Sequence, residues 1–183
     1  MMKNNKIKQI LAASVLVSAL SLTQGCTQKT VEKRTTKVKA NLNGISLPEN
    51  YKDWRVISAS HRIDNKTMRI ILGNDIAIKA SRAGQTNPWP NGAILGKLVY
   101  KQKQEDNWST AIAPNSDKFI HAEFMFKDDK RFANNGTGWG WARWLGDKQV
   151  PYGDKNDINQ SCISCHTPVK GRDWVYTTPI KLP

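Results

Sequence analysis

Trp139-Gly140-Trp141-Ala142-Arg143-Trp144-Leu145 alternates residue by residue. In an extended chain successive side chains point to opposite sides, so Gly140, Ala142 and Trp144 share one face and Trp139, Trp141 and Arg143 the other. Residues this small let a flat group come close to the backbone, with aromatic core packing as the leading role of the run. Three further runs show the same alternation with β-branched and aromatic content: Met68 to Leu72, Ile94 to Lys101 and Lys118 to Phe126. Turn chemistry separates the runs, at 87–92 (Asn-Pro-Trp-Pro-Asn-Gly), 113–115 (Ala-Pro-Asn) and 134–136 (Asn-Asn-Gly). A short helix is expected over Lys127 to Asn134, and a loop or first helical turn at Pro48. The fold class predicted is α+β, mainly β: a central antiparallel sheet with short helices.

The chain has 183 residues, which suits one domain, and its 39% hydrophobic content and seven Trp suit a packed core. Its start reads differently. Lys3, Lys6 and Lys8 precede an apolar run from Ile10 to Leu20 that is too short to span a bilayer comfortably, the pattern of a secretory signal over residues 1–25. Leu22-Thr23-Gln24-Gly25-Cys26 resembles a bacterial lipobox, with Thr23 where an aliphatic residue is preferred, and marks Cys26 for lipidation.

Residues 26–41 then read as a basic tether, and residues 42–183 as the folded domain. The net charge is +13, or +10 once the signal lysines are set aside, and much of the excess lies between Lys29 and Lys39. A basic tether beside a lipid suits an anionic membrane surface, and the same composition also suits a plain solvated linker. Nucleic acid is not an expected partner, because no motif for it accompanies the charge. Export places the protein in the periplasm as a membrane-anchored lipoprotein.

Setting Cys26 aside leaves Cys162 and Cys165 as the only cysteines, so no long-range disulfide is available. Cys162-Ile163-Ser164-Cys165-His166 has the spacing of c-type haem attachment: two thiols add to the vinyl groups of one haem and the adjacent His166 ligates the iron. A zinc site would have to recruit His61 and His121, which have no paired spacing, and a thioredoxin-like pair would need a βαβ setting. A simple disulfide is the plainest alternative. The porphyrin is then a flat group that the Gly140 face or its neighbour could abut. The sixth iron position decides between electron transfer and small-molecule chemistry, and Met68, Met125, His61 and His121 are its candidates, each also explained as core filler or surface histidine.

With these residues in view, the stretch from Tyr51 to Thr178 resembles the cytochrome P-460 family. The likeness rests on residues 50–54 (Asn-Tyr-Lys-Asp-Trp), 91–97 (Asn-Gly-Ala-Ile-Leu-Gly-Lys) and 127–134 (Lys-Asp-Asp-Lys-Arg-Phe-Ala-Asn) followed by Trp139. It continues in the C-x-x-C-H segment and in residues 174–177 (Trp-Val-Tyr-Thr). The resemblance implies a lysine bonded to a meso carbon of the porphyrin, at Lys97, an arginine near the haem pocket, at Arg69, and a carboxylate base before the haem motif, at Asp157 with Asp154 as fallback. It also implies oxidation of hydroxylamine or related nitrogen oxides at a five-coordinate haem, a small nitrogenous ligand, a periplasmic electron-transfer partner and a homodimer. The related cytochrome c′-beta type, which binds nitric oxide or carbon monoxide without the lysine bond, is the alternative, followed by a simple electron carrier. Taken alone, Lys97 and Arg69 are ordinary strand residues facing solvent, and Asp157 a loop aspartate.

Overall fold

The computed structural model of the chain describes residues 37–153 and 158–183. The expectations for Cys26, for the signal and most of the tether, and for Asp154 and Asp157 lie outside the described residues. Six strands, β1 (Arg55–Arg62), β2 (Thr67–Gly73), β3 (Ile94–Glu105), β4 (Trp108–Lys127), β5 (Trp139–Leu145) and β6 (Val150–Tyr152), form one sheet in chain order. Every neighbouring pair is antiparallel. Helix α1 (Asp75–Arg82) joins β2 to β3, helix α2 (Ile158–His166) follows β6, and short 3-10 turns lie at Tyr51–Asp53, Ala133–Asn135 and Thr167–Arg172. This is the mainly β, α+β architecture with a central antiparallel sheet.

Alternation located four strands and missed the limits of two. β3 and β4 extend past the expected runs into a long hairpin closed at residues 106 and 107. Residues 113–115 make no turn: Pro114 lies opposite Gln102 within β4, and the register jumps there from Tyr100↔Phe119 to Gln102↔Pro114. Proline has no N–H for the ladder, so it is accommodated where the pairing is already interrupted by a bulge. The helix expected over 127–134 is likewise absent; β4 runs through Lys127, and only the 3-10 turn at Ala133–Asn135 forms before Gly136 ends it with φ 72°.

Helix α1 is held by Asn74, whose side-chain oxygen accepts from the backbone N–H of Ala77 (3.0 Å) and of Ile94 (3.1 Å). One side chain therefore caps the helix and ties it to the start of β3. Asn41, already buried ahead of Leu42, donates to the carbonyl oxygens of Arg143 (2.9 Å) and Tyr152 (3.1 Å), so the incoming chain is fastened across β5 and β6.

The two faces of the sheet carry different cores. On one, Leu72, Ala122, Phe124, Ala142 and Trp144 pack with Ile45 and Tyr51, and Phe124 stands edge-on to Tyr51 (5.3 Å between centroids) and Trp144 (5.9 Å). Such edge-to-face pairs add to the burial of the rings themselves. The flat group that approaches Gly140 is here the ring of Phe132, and that of Phe124 lies against Gly96. A porphyrin is not needed to explain either glycine. On the opposite face Ile71, Leu95 and Trp141 pack with Ile57, Trp89, Trp139 and Val175, and Cys162 and Ile163 of α2 rest against them.

Candidate functional site

Between the second face and the C-terminal segment lies a cavity of about 570 Å³. Arg69, Ile71, Leu95, Lys97, Glu123 and Met125 line it from the sheet, with Trp141 and Arg143 of β5, and Cys162, Cys165 and His166 line it from α2. Strand periodicity explains this set. Ile71, Lys97, Glu123 and Arg143 stand directly opposite one another across four strands, so their side chains emerge in one row. Helical periodicity does the rest, since Cys162 and Cys165 are three apart and share a side of α2.

The row is a charge cluster. Glu123, 18% exposed, is ion-paired through Oε2 to Lys97 and through Oε1 to Arg143, and His121 Nε2 lies 3.3 Å from that same Oε1. Burial alone would raise the Glu123 pKa, but the Lys97 and Arg143 charges override it and hold the group at about 2. Burial, reinforced by the cations Arg143, Lys97 and Arg69 against the opposing pull of Glu123, pushes His121 down to about 4.

Both shifts make acid destabilising. His121 charges at about 6.5 in the unfolded chain and only near 4 in the folded one, so its contribution is complete above pH 6.5 and is lost as the pH falls toward 4. Glu123 contributes fully above about 4.5 and loses that contribution as the pH falls toward 2. At 1.36 kcal/mol per unit, each amounts to about 3 kcal/mol. Urea denaturation at pH 7 and pH 4 should show the first loss, and a His121→Gln variant should flatten it.

His166 is placed with its ring between Trp141 (5.9 Å) and Tyr176 (5.2 Å), and Tyr176 donates its hydroxyl to the carbonyl oxygen of Cys165 at 2.8 Å. Its Nδ1 lies 2.6 Å from the carbonyl oxygen of Trp174. A carbonyl only accepts, so Nδ1 carries the proton and Nε2 keeps its lone pair. Burial lowers the pKa of this imidazole, which keeps that lone pair available. Burial also raises the Cys162 thiol to about 11. Cys162 and Cys165 are not joined to one another by a disulfide.

The family model for cytochrome P460 matches residues 48–177, nearly the whole described fold. The chain belongs to the cytochrome P460 family. No curated protein matches the chain. A cytochrome P460 is a c-type haem protein, and this one carries that cofactor class.

The cavity fits such a group. Its volume lies in the range of cofactor pockets, and its walls are mostly apolar around a few convergent polar groups. Two of its lining residues hold buried donors without a partner, Arg69 Nε and Trp141 Nε1. Buried N–H groups are rarely left unpaired in a native protein, and a cofactor carrying carboxylates supplies acceptors for them. Among the described residues no three His, Cys, Asp or Glu converge as a cage for a bare metal ion.

Of the residues singled out in the sequence, Arg69, Lys97, Cys162, Cys165 and His166 all meet at this cavity. Arg69 is neither solvated nor ion-paired at Nε, and Lys97 faces inward. Among the four sixth-ligand candidates, Met125 lines the cavity while packing against the Trp141 core, and His61 lies exposed beside Gln102 at 2.5 Å. Met68 and His121 are not among the lining residues. Glu123 and Arg143 were not singled out from the sequence as site residues. The signal was present in 121–126 (His-Ala-Glu-Phe-Met-Phe), where a carboxylate and, two residues before it, a histidine share one face of a strand whose other positions are apolar.

Proposed function

We propose that this cytochrome P460 is an exported, lipid-anchored haem enzyme that oxidises hydroxylamine or related nitrogen oxides. Its single haem is held by Cys162 and Cys165, with His166 on the iron and Lys97 bonded to the ring. The haem supplies a redox-active iron with an open coordination position for a small nitrogenous ligand. The chain's residues provide the remainder. His166, protonated at Nδ1, offers Nε2 as a ligand. Glu123 holds the Lys97 amine in the cavity wall, and Arg69 offers a buried, unpaired N–H to a ligand or a propionate. Asp157 remains the proposed base that takes protons from the bound amine. Cys26 would carry the lipid, a periplasmic carrier would take the electrons, and a homodimer is the proposed assembly.

One observation carries this reading. Lys97 lies in the wall of the same cavity as Cys162, Cys165 and His166, although it comes from the middle of the sheet and they come from the C-terminal helix. A second reading, reversible binding of nitric oxide or carbon monoxide, is favoured by the pairing of Lys97 with Glu123. An ammonium held by a carboxylate has no lone pair with which to attack a carbon.

The visible spectrum and intact mass of the matured protein, beside those of Lys97→Ala, separate the two. A bonded lysine should give a broadened, red-shifted main band and a mass lowered by the hydrogens lost in forming the bond, and both features should disappear in the variant. An identical, ordinary haem c spectrum in the two proteins sinks the enzyme reading. If that spectrum is high-spin, gas binding remains; if it is low-spin, a sixth protein ligand and electron transfer.

A further inference from the structure

Lys127 closes β4 at the far end from the hairpin, opposite Trp139, and is only 5% exposed. A buried lysine is uncommon and needs anionic partners. Lys127 Nζ has two, Asp173 Oδ1 at 3.0 Å and Asp129 Oδ1 at 3.1 Å, and it sits 5.4 Å from the centroid of the Trp139 ring. Its own backbone is fixed: the Lys127 N–H donates to Ala93 O at 2.9 Å, and its carbonyl oxygen accepts from the Gly92 N–H at 2.8 Å. The ammonium is therefore presented from a rigid part of the sheet.

Its partner Asp173 stands between the haem-attachment motif and the C-terminal tail. Besides meeting Lys127, its Oδ2 accepts from the backbone N–H of Trp89 at 2.8 Å. Asp173 and Trp174 have φ values of 50° and 65°, two successive left-handed residues of which neither is glycine. L-residues avoid this conformation, and it persists only where the surroundings impose it. Here the Asp173 side-chain contacts act together with two backbone bonds of the turn, Trp174 N–H to Val169 O at 3.1 Å and Val175 N–H to Arg172 O at 3.2 Å. The outcome of the turn is that the Trp174 carbonyl oxygen points at His166 Nδ1, 2.6 Å away.

We propose that Lys127 is a positioning residue for the proximal imidazole: by gripping Asp173 it holds the left-handed turn that sets the Trp174 carbonyl on His166 Nδ1. The inference rests on the reading that His166 ligates the iron. A strong acceptor on the remote N–H gives an imidazole more anionic character, which strengthens its bond to iron and stabilises the oxidised state. Lys127 thus tunes the cofactor from the end of its strand without touching it.

The test uses the full chain, matured with haem in a host competent for cytochrome assembly. The readouts are the iron–imidazole stretching band of the ferrous protein by resonance Raman and the reduction potential. Lys127→Met should shift the band to lower frequency and raise the potential, because the Asp173 carboxylate, left with only the Trp89 N–H and no cation, turns toward water and takes the Trp174 carbonyl with it. Lys127→Arg should return both toward the wild-type values. A folded Lys127→Met protein with an unchanged band and potential overturns the proposal. If that variant does not fold, Asp173→Asn takes its place: asparagine tolerates the left-handed region and keeps an acceptor for Trp89, so the chain still folds, but the neutral amide no longer holds the Lys127 ammonium by charge. Smaller shifts in the same two directions are expected, and their absence overturns the proposal equally. A haem-loaded His166→Ala variant that still shows a strong iron–imidazole band overturns the ligand assignment itself, and the inference falls with it.

Discussion

Replacing Cys162 and Cys165 together by Ala in a Lys97→Ala background, which removes the proposed third covalent link, is expected to abolish covalent haem retention: the denatured protein should release all of its haem into acidified organic solvent, whereas the wild type releases none. The expectation follows from where the thiols lie. They share a side of α2 at the wall of the cavity, next to the imidazole whose Nε2 is free to bind metal. Each single variant should keep a covalent bond through the remaining sulfur, so a haem stain on a denaturing gel should persist, with its absorption maximum shifted by the unreacted vinyl group. Cys162 should be the more damaging of the two, because it is packed against the Trp141 core while Cys165 is exposed. If this triple variant keeps haem through denaturation, the attachment lies elsewhere.

The second large effect concerns Glu123→Gln. The substitution preserves shape and removes the one carboxylate shared by Lys97 and Arg143. Removing one partner of a buried ion pair costs about 3–5 kcal/mol, and the side-chain exposures of Lys97 (32%) and Arg143 (35%) place this case toward the low end. A loss of about 2–3 kcal/mol in the urea unfolding free energy of the protein is therefore expected, a large part of the stability of a domain of this size. Adding Lys97→Met should recover part of the loss, since one stranded cation is removed with its anion. A Glu123→Gln protein as stable as the wild type would mean that water already compensates these charges.

Legibility in the sequence followed the range of the interaction concerned. β5 was readable to the residue because its alternation is uninterrupted, and the C-x-x-C-H motif is legible whatever surrounds it, whereas the helix α2 that carries it was not expected from the sequence. β1 was missed because most of its side chains are exposed, so burial leaves no apolar period in 55–62. Pro114 was read as a turn because a local rule sees only a missing donor, whereas the bulge that accommodates it is made by the partner strand β3. The Gly140 and Gly96 contacts show the same limit. Small residues signalled the approach of a flat group, and only packing identified that group as phenylalanine.

By itself the sequence determined the mainly β architecture, the family, and which side chains of the four expected strands share a face, because these depend on periods of two and on spacings of a few residues. Only the tertiary structure decided which face is covered by α2, that Lys97 and Glu123 meet Cys162 across a cavity, and that Lys127 reaches Asp173. Those outcomes depend on strand register and on docking between segments far apart in the chain. A shift of one residue in strand register would send the same charges to the opposite side of the sheet.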